Sequence, residues 1–511
     1  MKTAYLLTES MGGWGVVIKQ YTPAMYPNEV NSCGLTVPSA IALMEKANAR
    51  DRTTARYILP ITASEEAAMR LSPRLLRGPA GLLLWLLMGL CGYPCAVAQA
   101  AVAKPQGAAQ GPDAELKNFE LGRLQDQLRS MPPGAERDYF AGVLANRQGR
   151  AADSIRLLEK ALPATRATEP ARAAIALRAL AYDFTETFQY REAAGAFDDL
   201  LDHFAADSDQ GDRDDAGVAR VLRDAPPQTI EWRGPVRLKI ERDPIASWVA
   251  QLSVNGVSGP WLLDTGANQS VVSRSFAARL GLKPLPGAAE TQGGTGIENP
   301  LQIALLPSIT VGGATLHNVV VLILDDASLN IHIGKLKYQI DAVLGYPALQ
   351  ALGAITFYQD GWFEARAAAR SNTTGARMYM DLLTPVIECG VEGAELPFTL
   401  DTGAEGTNLS VRYYQRFRGQ SLSWKKGKNI SFGAGGMVKR KIYIQPKLEL
   451  TVGATTATLA HVPIFTEPMG SGIDGMYGNL GEDLVKGFAS FTIDFNRMTF
   501  SLGPALDEPS R

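Results

Sequence analysis

Side chains that form disulfide bonds, metal sites and serine-type catalytic sites are scarce in this sequence. Its 511 residues include four cysteines and four histidines. Three of the cysteines precede residue 100. If that segment is removed, Cys389 is the one cysteine left, and it cannot close a disulfide bond within the chain. Because a close histidine pair, a cysteine cluster and a Gly-x-Ser-x-Gly sequence are all missing, we expect no metal, no cofactor and no Ser-His chemistry.

An excess of charge of one sign is missing too. The chain carries 50 basic and 52 acidic side chains, a formal net charge of −2. They are mixed along the sequence, so we expect no basic surface for nucleic acid. The apolar share of 46% is that of ordinary globular domains, and the length allows several of them.

A clear membrane span is also lacking, although one segment comes near it. Basic residues after Met69 precede a leucine-rich run and then an alanine-rich stretch, which is the layout of a secretory signal. We therefore interpret residues 69–100 as a signal peptide and residues 1–68 as a non-native or disordered extension. The alternative is a membrane anchor over residues 80–98, but its apolar core is short for a span. We expect export to the periplasm or beyond, with no span in the mature chain.

Residues 113–205 have the composition of helices. They are rich in Ala, Leu, Arg and Glu, with apolar residues at helical spacing, which predicts a small all-α domain. Two stretches beginning at Ala151 and Ala193 share their apolar offsets and resemble tetratricopeptide helix pairs, which would give this domain a protein partner. A simple bundle that packs on the rest of the chain is the alternative. The polar run from Asp207 to Asp215 predicts a solvated linker over residues 206–229.

From residue 230 onward, short segments rich in β-branched residues alternate with glycine-containing turns, which predicts an all-β region. This region contains an internal duplication. Its first half contains the sequence Trp261-Leu-Leu-Asp264-Thr-Gly-Ala. Its second half contains the similar sequence Phe398-Thr-Leu-Asp401-Thr-Gly-Ala. The predicted units are lobe 1 over 230–366, a connector over 367–375 and lobe 2 over 376–505.

Further pairs of segments recur in the same order in both halves, at similar distances along the chain. They are Ile309-Thr-Val-Gly and Leu450-Thr-Val-Gly; Asp341-Ala-Val-Leu-Gly345 and Asp474-Gly-Met-Tyr-Gly478; and Ala354-Ile-Thr-Phe and Ser490-Phe-Thr-Ile. The preserved order indicates that each half forms one related β lobe.

The two Asp-Thr-Gly sequences suit acid–base chemistry. Each follows an apolar strand, and its glycine lets the chain turn sharply so that the carboxylate emerges at the strand end. One such sequence is usually an ordinary turn, but two at matching places in a duplicated unit predict a shared site. Two carboxylates a few ångströms apart cannot both ionise, so one acts as a base on water while the other acts as an acid.

These motifs resemble those of retropepsin-like aspartic proteases, with two lobes fused in one chain as in the pepsin family. The resemblance covers about residues 236–502. It rests on Asp-Thr-Gly-Ala and on the apolar-apolar-Gly elements Val343-Leu344-Gly345 and Met476-Tyr477-Gly478, which in such folds brace the catalytic loops. It implies an all-β bilobal aspartic protease, preceded here by the helical domain, with Asp264 and Asp401 as the catalytic residues.

The resemblance also implies supporting roles for the neighbours of the two aspartates. In the family the threonines of the two loops bond to each other across the lobe junction, and a glycine-rich hairpin closes over bound peptide. The supporting residues would be Thr265, Gly266, Thr402 and Gly403. The flap candidates are Gly293, Gly294 and Gly296 in lobe 1, and Gly433, Gly435 and Gly436 in lobe 2.

The residues after each motif predict how the site responds to pH. Ala267 and Ala404 stand where pepsin-like enzymes usually carry a hydroxyl that stabilises the charged carboxylate. We therefore expect activity at mildly acidic to near-neutral pH. Asn268 and Glu405 come next and differ between the lobes, and a third acid at Glu405 would raise the pKa of the pair.

Two other readings of the duplicated region stay open. The chain could be a secreted, non-catalytic peptide-binding protein that retains the bilobal cleft, but the presence of both aspartates argues against the loss of activity. Alternatively, each lobe could pair with a lobe of another molecule. The sequence predicts an aspartic endopeptidase whose substrate is a peptide or protein.

Overall fold

The computed structural model describes residues 2–10, 13–21, 111–287, 289–292, 298–333, 336–368, 375–433, 436–468 and 472–506. The predicted signal peptide and the alternative anchor lie outside the described residues. Within the described part, no helix is long and apolar enough to cross a membrane. Near the start of the chain, β1 (Lys2–Ser10) and β2 (Gly13–Tyr21) form an antiparallel hairpin.

Residues 112–222 are helical. The helices are α1 (Pro112–Lys117), α2 (Leu121–Ser130), α3 (Ala135–Arg147), α4 (Ala151–Thr168), α5 (Pro170–Glu186), α6 (Tyr190–His203) and α7 (Gln210–Leu222). The alanine-rich α5 is buried along most of its length, because small side chains on every face let its neighbours approach.

Where the sequence predicts a solvated linker over 206–229, the structure has the packed helix α7. Asp209 caps this helix: its carboxylate accepts the Asp212 N–H at 3.0 Å, and the Asp212 carboxylate accepts the Asp209 N–H at 2.9 Å. Arg178 of α5 donates to both carboxylate oxygens of the fully buried Asp212, at 2.7 and 2.6 Å. The linker prediction is wrong because this segment forms a helix, in which a buried cation from an earlier helix pairs with Asp212.

The helical region packs on both halves of the β region. On the first half, the Tyr346 hydroxyl donates to the Glu186 carboxylate of α5 at 3.3 Å, and Leu222 of α7 lies in a core cluster with Val249. Several polar and aromatic contacts join the helices to the second half. Arg147 pairs with Asp381 at 2.6 Å, and Phe119 meets the ring of Tyr379 edge-on at 6.1 Å between centroids. The Arg412 guanidinium donates to the carbonyl oxygen of Asn118 at 2.8 Å. The helices and the strands therefore share part of one hydrophobic core.

The first half of the β region, residues 229–366, consists mainly of strands. These are β3 (Thr229–Trp232), β4 (Val236–Arg242), β5 (Trp248–Val254), β6 (Val257–Leu263), β7 (Ser270–Ser273), β8 (Ala289–Gln292), β9 (Glu298–Val311), β10 (Ala314–Leu324), β11 (Asn330–Ile333), β12 (Leu336–Gln339), β13 (Ala342–Leu344), β14 (Ala354–Tyr358) and β15 (Trp362–Arg366), with the short helices α8 (Arg274–Arg279) and α9 (Tyr346–Ala351). The short strand β13 lies parallel to β6 and antiparallel to β7.

The second half, residues 376–502, repeats much of this arrangement. It contains β16 (Ala376–Asp381), β17 (Thr384–Val391), β18 (Ala394–Leu400), β19 (Asn408–Leu409), α10 (Val411–Phe417), β20 (Lys425–Gly433), β21 (Gly436–Val452), β22 (Thr455–Phe465), β23 (Gly478–Leu480), β24 (Ser490–Asp494) and β25 (Thr499–Leu502). Here β23 lies parallel to β18 and antiparallel to β19, as β13 does to β6 and β7.

The duplication extends to the turns. Asn255 and Gly256 join β5 to β6 with φ of 51° and 77°, and Glu392 and Gly393 join β17 to β18 with φ of 49° and 79°. Two successive residues with positive φ form the tight hairpin turn that matches the twist of the strands. The two turns are separated along the chain by the same distance as the two Asp-Thr-Gly motifs.

One sheet joins the two halves. Its strand order is β4, β15, β14, β24, β25 and β16, with three strands from each half. At its centre Thr356 pairs with Thr492, and their hydroxyl oxygens lie 2.8 Å apart. The rings of Phe357 and Phe491 stack 4.8 Å apart beside them. The fold is thus mostly β with an N-terminal helical region, consistent with an aspartic protease fold.

Candidate active site

Both Asp-Thr-Gly loops leave buried strands, β6 and β18, and each is held by the same main-chain hydrogen bond. The Asp264 N–H donates to the Leu344 carbonyl oxygen at 3.1 Å, and the Asp401 N–H donates to the Leu480 carbonyl oxygen at 3.0 Å. Strands β13 and β23 therefore fix the ends of β6 and β18, where the carboxylates emerge.

The threonines join the two loops directly. The Thr265 N–H donates to the Thr402 hydroxyl at 3.1 Å, and the two hydroxyl oxygens also lie 3.1 Å apart. Both side chains are buried, so water does not compete for these bonds. The structure thus brings together two loops that lie far apart in the sequence.

Each aspartate lies against the glycine of the opposite loop. A Cβ atom on Gly266 would lie 2.6 Å from Asp401 Oδ1, and one on Gly403 would lie 2.7 Å from Asp264 Oδ2. Within its own loop each carboxylate accepts the glycine N–H, at 2.8 Å for Asp264 and 2.9 Å for Asp401. The aspartates are 1% and 0% exposed. Their assignment as catalytic residues stays a prediction, but the geometry sets each carboxylate against the opposite loop.

The bracing element of the second half differs from the sequence prediction. Leu344 and Leu480 each accept the N–H of the aspartate in their own half, so these two leucines correspond to each other. The residue that corresponds to Gly345 is therefore Gly481. The alignment that made Met476-Tyr477-Gly478 the bracing element is therefore wrong by three positions. It failed because the true element contains a polar residue in place of an apolar one.

Two hydroxyl side chains that the sequence reasoning missed hold these glycines. The Gly345 N–H donates to Ser270 Oγ at 3.1 Å, and the Gly481 N–H donates to Thr407 Oγ1 at 3.2 Å. Ser270 and Thr407 are separated by the same distance along the chain as Asp264 and Asp401. The common offset was the signal that could have identified them.

The polar residue of the second bracing strand is Asn479. Its side-chain amide donates to Asp401 Oδ2 at 3.4 Å, and the Thr399 hydroxyl donates to its Oδ1 at 2.6 Å. The pairing of strands gives Val343 and Leu262 the corresponding places in the first half. The two halves are therefore similar in backbone but different in the chemistry behind each aspartate.

Several acids surround the second loop. Burial raises the pKa of Glu405, and it raises the pKa of Glu482 to about 7 although Arg242 of β4 donates a hydrogen bond to Glu482. Burial also raises the pKa of Asp483, whose N–H donates to the Glu405 carbonyl oxygen at 3.2 Å. An effect of Glu405 on the aspartates stays a prediction. Within the described ranges, no group of three or more histidine, cysteine or acidic side chains could hold a metal ion.

The predicted flap glycines fall at hairpin ends. Gly433 pairs with Gly436 where β20 turns into β21, and Gln292 pairs with Glu298 where β8 is followed by β9. Four of the six candidates lie outside the described residues: Gly293, Gly294, Gly296 and Gly435. Closure of these hairpins over a peptide stays a prediction.

One family model matches part of this chain, and two solved structures are similar to it. Residues 250–348 match a family model described as aspartyl protease. Among solved structures, the chain is similar to Basic 7S globulin from soybean, with 13% identity and a TM-score of 0.34 over 53% of this chain and 94% of that one. It is also similar to a retropepsin-like aspartic protease from Rickettsia conorii, with 17% identity and a TM-score of 0.18 over 27% and 94% of the two chains. No curated protein matches the sequence. The matched segment includes Asp264 and its bracing strand β13, so the family likeness covers the first of the two loops.

Proposed function

We propose that the protein is a bilobal aspartic endopeptidase in which Asp264 and Asp401 act together on one bound peptide. The proposal rests on the contact between the two loops. The Thr265–Thr402 hydrogen bond joins them, and the glycine of each loop lies against the carboxylate of the other. Two carboxylates held against one loop junction repel each other when both are ionised, which favours a pair that shares one proton.

The proposed reaction needs only this pair and a water molecule. The ionised carboxylate takes a proton from the water as its oxygen attacks the scissile carbonyl carbon, and the protonated carboxyl gives its proton to the carbonyl oxygen. In the second step the carboxyl that gained the water proton passes it to the amide nitrogen. The other carboxylate takes a proton from the tetrahedral carbon's hydroxyl group as the C–N bond breaks, which restores one proton to the pair.

The acidity of the pair follows from its neighbours. Ala267 and Ala404 offer no hydroxyl to either carboxylate, and Glu405 adds a nearby acid. All three features disfavour the doubly ionised pair. Activity should therefore extend from mildly acidic to near-neutral pH, and an optimum in strong acid would contradict this assignment.

The helical region and the export signal complete the proposal. The contacts of α3 with β16 and of α5 with Tyr346 favour a structural role for the helices, packed on both lobes, over an extended surface that recruits a partner. Export by the segment at 69–100 is proposed from its sequence alone. Proteolysis by a fragment lacking residues 1–100 would support that start of the mature protein.

The test is digestion of a peptide library across pH by the purified protein. Asp264→Asn and Asp401→Asn should each lower kcat/KM by at least about 100-fold, the scale of lost acid–base catalysis. Asp360→Asn, a control at an exposed aspartate, should leave it unchanged. Full activity in either site variant would overturn the shared-proton mechanism. Binding of a statine-type peptide without any cleavage by the wild type would favour the non-catalytic peptide-binding protein.

A further inference from the structure

The second lobe holds a buried polar pair behind its aspartate. Asn479 and Thr399 sit opposite each other on β23 and β18, and both are buried. From their geometry we infer that Asn479 is a positioning residue that keeps Asp401 ionised, so that Asp401 starts the reaction as the base and Asp264 as the acid. This assignment rests on the proposed function and adds an order of roles to it.

The orientation of the Asn479 amide follows from Thr399. The Thr399 hydroxyl has one hydrogen and two acceptors within reach, Asn479 Oδ1 at 2.6 Å and the Gly478 carbonyl oxygen at 3.3 Å. A separation of 2.6 Å suits an O–H···O hydrogen bond and is short for N–H···O, so the amide oxygen is the atom that faces Thr399. The amide nitrogen then faces Asp401 Oδ2, at 3.4 Å.

An amide nitrogen can only donate, and this decides which form of the aspartate it favours. A donor aimed at Oδ2 stabilises the carboxylate and opposes a proton on that oxygen. The three side chains that are linked by these hydrogen bonds, Thr399, Asn479 and Asp401, are all buried. In such surroundings a hydrogen bond is electrostatically stronger than in water, so even a long one biases the protonation of the pair.

The first lobe has no equivalent of this donor at the matching places. Val343 pairs with Leu262 in the same register in which Asn479 pairs with Thr399. Neither valine nor leucine can donate a hydrogen bond. The two halves therefore have the same backbone pairing at these places. The pair in the second half is polar, and it lies beside Asp401.

Acidic side chains crowd the second loop, with two basic side chains among them. Asp264 lies across the junction, Glu405 and Asp483 follow on adjoining segments, and Glu482 lies beside them with Arg242. Every acid in this set that is ionised disfavours a further negative charge on Asp401. Arg242 pairs with Glu482, and Lys486 acts on Glu405, Glu482 and Asp483. The Asn479 amide, in contrast, donates to Asp401 itself.

The experiment compares pH profiles of kcat/KM for a peptide that the wild type cleaves. Asn479→Val, which copies the residue of lobe 1, should move the acid limb upward by about one pH unit, the size expected for a hydrogen bond to a charged group. Thr399→Val should move it in the same direction, because the amide loses its anchor. Thr399→Ser keeps the hydroxyl and should retain the wild-type acid limb.

The outcomes separate this inference from the proposed function. Cleavage by the wild type with an unmoved acid limb in both valine variants would overturn the role of Asn479, even if their activity fell at every pH. Absence of cleavage by the wild type would overturn the proposed function instead. Circular dichroism reports folding of each variant, and if Asn479→Val does not fold, the comparison of Thr399→Val with Thr399→Ser decides.

Discussion

Alanine in place of Gly403 would put a methyl group where the Asp264 carboxylate lies. The added Cβ would stand 2.7 Å from Asp264 Oδ2 and 2.8 Å from Oδ1, whereas ordinary contact begins at 3.4 Å. The carboxylate or the loop must therefore move by about 0.7 Å, and misplacement on the order of 1 Å costs roughly 100-fold in rate. A fall of that size in kcat/KM corresponds to about 2.7 kcal/mol in transition-state stabilisation.

The same loop provides a matched control. Gly406 lies three positions further on, and a Cβ there would meet nothing within 4 Å. Gly406→Ala should therefore keep wild-type kcat/KM. Both variants should fold, since neither glycine has a positive φ. The assay is peptide cleavage at the optimal pH, with thermal unfolding as the check on folding. Equal activity in Gly403→Ala and Gly406→Ala would refute the close approach of the second loop to Asp264.

Three further predictions concern stability. Thr402→Val leaves the Thr265 N–H without its acceptor and should lower the free energy of unfolding in urea by about 1–3 kcal/mol, whereas Thr402→Ser should restore most of it. Asp212→Asn uncouples the buried Arg178 from its counter-charge and should cost about 3–5 kcal/mol, seen as early loss of helical circular dichroism. Burial raises the pKa of Asp183 from 3.8 to about 7, so the folded state binds this proton more tightly than the unfolded state and stability falls as pH rises between those values, by about 4 kcal/mol at most. Asp183→Asn should flatten that decline in unfolding curves measured from pH 4 to 7, and an unchanged slope would contradict the assignment.

The sequence predicted the two loops because their signal is local and repeated. Asp264 and Asp401 each follow an apolar strand and precede Thr-Gly-Ala, and the structure brings the loops together. The bracing strand of the second half was misaligned because Asn479 broke the apolar pattern that identified Val343-Leu344. A search at the constant offset that separates the two Asp-Thr-Gly motifs would have found the correct register to within one position.

Other features depend on partners far along the chain. The aspartates between 207 and 215 look like a solvated run until Arg178 is placed beside Asp212. Likewise, nothing near Glu482 in the sequence indicates that Arg242 pairs with it from the other half. Composition predicts exposure for such residues, and only the packed fold shows that opposite charges accompany them into the interior.

The duplicated backbone and the unequal side chains have different consequences. The common strand pattern and the central sheet, with Thr356 opposite Thr492, set the two loops face to face. The differences fall directly behind the loops, where Asn479 replaces the valine of the first half. The strand pattern that the two halves share thus brings the two loops together. The side chains that differ between the halves give the two carboxylates different surroundings.

The central claim is that Asp264 and Asp401 address the same reacting atoms. A crystal structure of the protein with a statine-type peptide tests it most directly, because the hydroxyl of that peptide mimics the attacking water. We predict that this hydroxyl lies within about 3 Å of an oxygen of each carboxylate. A hydroxyl that contacts only one aspartate, or a peptide bound away from both, would contradict the account.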